Sequence, residues 1–148
     1  MREVLAHLVL LIRLNLWAEL IWLLSLALGL WILFQEHFSL PLGIGLALYG
    51  FSAALDDIST KIALSKPNVM EINPVAAYIF SRFGLGAKGL ALTELSILAV
   101  VFIYFLLSPE TLGLAERLSK AFTAVACVRL GATFGNVVAI FQASRPGS

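Results

Sequence analysis

From Ala87 to Leu107 the chain carries only two charged side chains, Lys88 and Glu94, in an otherwise apolar run. A helix needs about 20 such residues to cross the hydrocarbon core of a bilayer. Comparable runs occupy about 16–34, 41–64 and 114–143. Composition agrees: 60% of the 148 residues are hydrophobic and 13% charged, where an ordinary soluble domain has about 25% charged. The mean hydropathy is +0.95, more apolar surface than a water-soluble fold of this size hides. The expectation is an all-α integral membrane bundle of four transmembrane spans, with a short half-helix at about 74–83 in the second inter-span loop. Four crossings take roughly 80 residues, which predicts a single transmembrane domain over 1–148 with short loops.

Local signals set the expected boundaries. Arg2 and Glu3 precede an apolar run in the manner of a leader, but no small-residue cleavage site closes it, and Arg13 and Glu19 interrupt it. The segment therefore reads as retained, with an interfacial turn (Arg2, Glu3, His7, Arg13) before the first span and Glu19 snorkelling to the interface. Trp17, Trp22 and Trp31 suit the aromatic belts of a membrane protein. Pro41 and Pro109 mark turns, and Asn73-Pro74 has the form of an N-cap followed by proline at the first helical position. Gly131 and Gly135 form a GxxxG pair, read as helix packing.

Several chemistries are excluded. Ten Lys and Arg against nine Asp and Glu give a net charge of +1, with no basic stripe of the kind nucleic acid requires. Cys127 is the sole cysteine, so no internal disulfide forms and no zinc cluster is in view; it reads as a packing residue. His7 and His37 fall at opposite membrane faces in this topology, which removes a histidine triad or histidine metal site. The inner side would collect Arg2, Arg13, Lys61, Lys66, Arg82, Lys88 and Arg145, and the outer side only Arg117 and Lys120. That bias predicts cytoplasmic termini.

Ionisable groups inside spans cost roughly 2.5–3.5 kcal/mol each, so those present need a reason. Asp57, Thr60 and Lys61 share one helix face with Ala54 and Gly50, while Asp56 points about 100° away beside Ser52 and Ser59. Arg129, Thr133 and Asn136 follow i, i+4, i+7 spacing on the last span. At 1.5 Å per residue, Asp57, Glu94 and Asn136 each lie about 10 Å from the inner ends of their spans. Glu71 and Asn73 stand at the head of the short helix on that side. Asp56, Asp57, Glu71 and Glu94 outnumber Lys61 and Arg129 by two charges, and a buried site keeps such an excess only if it protonates, hydrates or binds a cation.

The candidate binding cluster is thus Asp57, Thr60, Lys61, Glu71, Asn73, Glu94, Arg129 and Asn136. Asp57, Glu71 and Glu94 are candidate ligands for a monovalent or an oxygen-preferring divalent cation. Structural readings stand beside this one: an Asp57–Lys61 pair, an Arg129–Glu94 bridge fixing the bundle, and Glu71 and Asn73 serving only as caps.

The elements Asp57-Ile-Ser-Thr60 and Glu71-Ile-Asn73-Pro74 resemble those of an uncharacterised family of small prokaryotic polytopic membrane proteins, which carries Asp-x-x-Thr late in one span and Glu-x-Asn-Pro before the next. The resemblance covers about residues 45–142. It implies a compact bundle in a prokaryotic plasma membrane and brings no assigned activity. The leading expectation is a buried polar site that binds a cation, proton or small polar solute in transport or sensing. A membrane enzyme acting on a lipid or isoprenoid headgroup and an accessory subunit of a larger complex remain open. Expected partners are membrane lipid and either further copies of the chain or a larger membrane complex, with no nucleic acid.

Overall fold

The computed structural model describes residues 20–35, 38, 40–66, 69, 71, 73–108 and 112–144, and these form an all-α structure of five helices. They are α1 (Leu20–Phe34), α2 (Leu42–Leu64), α3 (Pro74–Phe83), α4 (Ala87–Leu107) and α5 (Leu114–Ala143).

Local chemistry sets the helix ends. Pro41, which cannot continue a helix backwards, precedes α2. Asn73 caps α3: its Oδ1 accepts from the backbone N–H of Val75 at 3.0 Å and of Ala76 at 3.3 Å. Pro74 follows at a position whose N–H would have no intrahelical partner. Gly84 ends α3 with φ of +73°, a left-handed conformation that side chains disfavour. Only a residue without Cβ fits at Gly89, which lies against the Gly84 carbonyl and the Phe80 ring. α3 is thereby held close against the first turn of α4.

α5 is the organising helix. α2 lies along it, α4 packs on it, and α3 packs on α4. Close approach is bought by small residues. A Cβ at Gly45 would stand 2.9 Å from Ser119 Oγ, and one at Gly29 would stand 3.0 Å from the Ala124 carbonyl. Gly131 faces Ser25 of α1 too closely for any side chain. Polar ties add to this packing near the start of α5. Ser119 Oγ donates to the Leu40 carbonyl at 2.6 Å, and Lys120 Nζ donates to the Gln35 carbonyl at 2.9 Å. The Tyr104 hydroxyl donates to the Leu33 carbonyl at 3.5 Å.

The distribution of side chains is inverted relative to a soluble protein. The buried residues are mostly small or polar, among them Ala63, Ala121, Ser52, Thr60, Ser119, Lys120 and Arg129. The large apolar side chains point outwards, including Leu95, Phe102, Leu106 and Leu107 on α4 and Phe134 and Phe141 on α5.

The expectation of four spans is corrected here. Two helices, α4 and α5, are long and apolar enough to cross a membrane. α2 has the length, at 23 residues, but Asp56, Asp57 and Lys61 with the hydroxyls of Ser52, Ser59 and Thr60 dilute its apolar content below that of a spanning helix. Of the expected first span at about 16–34, residues 20–34 are described, as an apolar helix. Expectations for Arg2, Glu3, His7, Arg13, Trp17, Glu19, His37, Pro109, Arg145 and both termini lie outside the described residues.

Candidate functional site

The face of α2 that meets α5 runs through Gly45, Ser52, Ser59, Thr60 and Ala63, all buried. Asp56 belongs to this stripe, one helical turn from Ser52 and Thr60. Of the face expected from the sequence, Thr60 is buried and Asp57 half-buried, but Gly50, Ala54 and Lys61 are exposed, and nothing approaches the Cα of Gly50 within contact distance of a Cβ. Hydroxyls and glycine, rather than a polarity step, mark the packed side.

Arg129 stands halfway along α5 with its side chain 4% exposed. Its guanidinium meets three carboxylates from two helices. NH2 donates to Glu94 Oε1 of α4 in a short contact, Nε donates to Asp56 Oδ2 at 3.4 Å, and NH2 lies 3.6 Å from Asp57 Oδ1. NH1 is buried with no hydrogen-bond partner among the described residues. Tyr49 of α2 donates its hydroxyl to the second oxygen of Glu94 at 2.7 Å. The Tyr49 ring lies 5.8 Å from the guanidinium carbon and packs on Phe122 at 5.1 Å between centroids.

Two turns further along α5, Asn136 Nδ2 donates to Thr60 Oγ1 at 2.9 Å and to Ser59 Oγ at 3.1 Å. Thr60 Oγ1 in turn lies 3.5 Å from Asp56 Oδ1 as donor. These bonds extend the polar contact between α2 and α5 from the charged cluster to the neighbouring hydroxyls.

Of the residues singled out in the sequence, Asp57, Thr60, Glu94, Arg129 and Asn136 thus fall in one connected polar region. Lys61 does not: it is exposed, and among the described residues no ion pair joins it to Asp57. Glu71 and Asn73 form a unit of their own. Glu71 Oε1 accepts from the Asn73 N–H at 2.9 Å. Asp56, Ser59 and Tyr49 belong to the cluster but not to the set picked from sequence. Asp56 and Ser59 lie with Ser52 on the face that the sequence sets apart from Asp57 and Lys61, and that face is the packed one; Tyr49 has no charge to draw attention, and its place seven residues before Asp56, on the same stripe, is the signal that finds it. Cys127 is half-buried with a free thiol.

The chemistry open to the cluster follows from its charge and access. Three carboxylates face one guanidinium, an excess of two negative charges if all are ionised. The acids are not sealed: the side chains of Asp56, Asp57 and Glu94 are 18%, 31% and 26% exposed. Among the described residues, no group of three or more His, Cys, Asp and Glu is placed to hold a metal ion, so Asp57, Glu71 and Glu94 do not assemble into a shared coordination sphere. No protein-family model, curated protein or solved structure matches this chain.

Proposed function

We propose that the chain is a membrane protein whose Arg129-centred cluster binds a cation or a proton, as part of transport or sensing. The observation that carries this reading is the three-to-one gathering of Asp56, Asp57 and Glu94 on a buried Arg129. Arg129 acts as a built-in counter-ion that compensates one of three negative charges. The surplus in an apolar surrounding is relieved by taking up a positive ion or a proton. The partly exposed edges of Asp57 and Glu94 are the accessible oxygens, and the Tyr49 hydroxyl orients Glu94.

A small hydrated cation suits this arrangement better than a tightly held divalent ion, which needs several convergent oxygen ligands. An enzyme working on a phosphorylated headgroup would use the same access. However, Arg129 is already engaged by carboxylates, and the remaining negative charge opposes a phosphate. In the membrane orientation we propose, the end bearing Lys61, Lys66, Arg82 and Lys88 faces the cytoplasm of a prokaryotic cell, because cytoplasmic loops collect Lys and Arg. The carboxy-terminal end of α5 lies on that side.

The test is ion flux in proteoliposomes, compared for the wild type and for Asp57→Asn and Glu94→Gln. Loss of flux of a monovalent cation or proton in both variants, with unchanged helical content, is the expected result. Flux that survives both substitutions unaltered overturns the reading.

A further inference from the structure

We infer that α3 and the first turn of α4 form a headgroup-level surface that binds the anionic phospholipids of one leaflet. The inference rests on the membrane reading above. Its basis is a set of cations that the polar cluster does not use. Lys61 and Lys66 close α2, Arg82 closes α3, and Lys88 opens α4. The short connections between these helices bring all four to one end of the bundle. Glu71 is the one acid among the described residues there, and its carboxylate accepts from the Asn73 N–H. Asp56, Asp57 and Glu94 are directed at Arg129.

Geometry supplies the second, independent observation. The inward face of α3 is Ala76 and Ile79. Its outward face carries Val75, Tyr78 and Arg82 at i, i+3, i+7 spacing, with Val75 and Tyr78 more than half exposed. The Arg82 guanidinium lies 5.9 Å from the centroid of the Tyr78 ring, and Lys88 Nζ lies 5.1 Å from that of Phe83. Each cation is therefore held over an aromatic ring rather than over an acid. Lys88 also begins a stripe that continues up α4 through Ala91, Leu95 and Leu98, all exposed. A cation at the foot of an apolar stripe, flanked by rings, is the pattern of residues that sit at headgroup depth while the rest of the helix meets acyl chains.

An anionic leaflet is the occupant that satisfies both parts of this surface. The rings and the α4 stripe need an apolar phase, and the cations, which make no ion pair among the described residues, need phosphate charge beside it. An acidic soluble protein would meet the charges but leave the stripe exposed.

The experiment uses the full chain in neutral detergent, with retained lipid counted by native mass spectrometry after addition of phosphatidylglycerol or phosphatidylcholine. Flotation with phosphatidylcholine vesicles is run in parallel. The wild type is expected to retain phosphatidylglycerol preferentially, and salt at about 0.5 M to weaken that preference. Arg82→Gln and Lys88→Gln should each reduce it about fivefold, while the charge-keeping pair Arg82→Lys with Lys88→Arg preserves it. Circular dichroism checks that every variant is folded. Equal retention of the two lipids by the wild type, or full preference in the double glutamine variant, overturns the inference while flotation leaves the membrane reading intact. An acidic protein that co-purifies and is lost in the double variant, without any lipid preference, overturns it in favour of a protein partner. Failure to float or to retain either lipid overturns the membrane reading with it.

Discussion

Tyr49 of α2 donates its hydroxyl to Glu94 of α4 at 2.7 Å, and Glu94 offers its other oxygen to Arg129 of α5. One carboxylate thus connects three helices. α2 and α4 both pack on α5, and the Tyr49–Glu94 bond is the polar tie between them. Tyr49→Phe keeps the ring packed at a tilt against Phe122 and removes only the donor. The expected cost is roughly 1.5–3 kcal/mol of stability, the range for a hydrogen bond to a charged group. It should be read as a lower thermal midpoint in detergent, with ion binding weakened but not abolished.

Arg129 and Glu94 should behave as a coupled pair. Arg129→Gln removes the positive charge shared by three acids and leaves them facing one another, a loss on the order of 3–5 kcal/mol. Glu94→Gln is milder, because Asp56 and Asp57 still engage the guanidinium. The double variant should be less damaged than the sum of the two singles. Thermal stability of all four proteins in a double-mutant cycle measures the coupling, and strict additivity would refute direct pairing.

The residues themselves show which parts of this structure can be read in advance. Asn73-Pro74 marks the start of α3, because capping and proline geometry are local. Arg129 and Asn136 can be placed on one face of α5, because their spacing is helical and both are polar among apolar neighbours. The packed face of α2 is harder. α2 carries large apolar residues on its exposed side, such as Phe51 and Ile58, so hydrophobic periodicity does not say which side meets protein. The informative pattern is the seven-residue repeat of small residues Gly45, Ser52 and Ser59, which outweighs the more conspicuous Asp57 and Lys61. The number of spans fails for another reason: α2 is long enough, but Asp56, Asp57 and Lys61 with three hydroxyls bring its apolar content below that of a spanning helix. Lys120 was equally hidden. The sequence counts Lys120 only among the outer-side charges, yet its side chain is 1% exposed, 3.6 Å from Glu116 and bonded to the Gln35 carbonyl.

The packing assignment for α2 separates two glycines. A methyl group at Gly45 would meet Ser119 Oγ at 2.9 Å and the Ser119 carbonyl oxygen at 3.1 Å, part of which is backbone that cannot move aside. Gly45→Ala should cost about 1–3 kcal/mol by overpacking. Gly50→Ala meets nothing and should be neutral or stabilising by about 0.5–1 kcal/mol, since alanine is the better helix former. Thermal midpoints of the two variants decide the matter. The reverse order would return the packed face to the Gly50 side.

Asn73 offers a test of α3 that leaves the charged cluster untouched. Its Oδ1 satisfies two N–H groups that the helix cannot satisfy internally. Asn73→Ala removes both bonds and should destabilise the start of α3 by about 1 kcal/mol, whereas Asn73→Asp retains an acceptor and adds a charge favoured by the helix dipole. Hydrogen exchange followed by mass spectrometry is the suitable measurement, because the effect is local. Peptides covering 73–83 should exchange about fivefold faster in Asn73→Ala and at the wild-type rate or slower in Asn73→Asp. Peptides from the middle of α5 should not change in either variant, since Arg129 and its partners do not contact the cap. Accelerated exchange around Arg129 would instead mean that α3 and the cluster open together, linking the proposed lipid-binding end of the bundle to the proposed ion site.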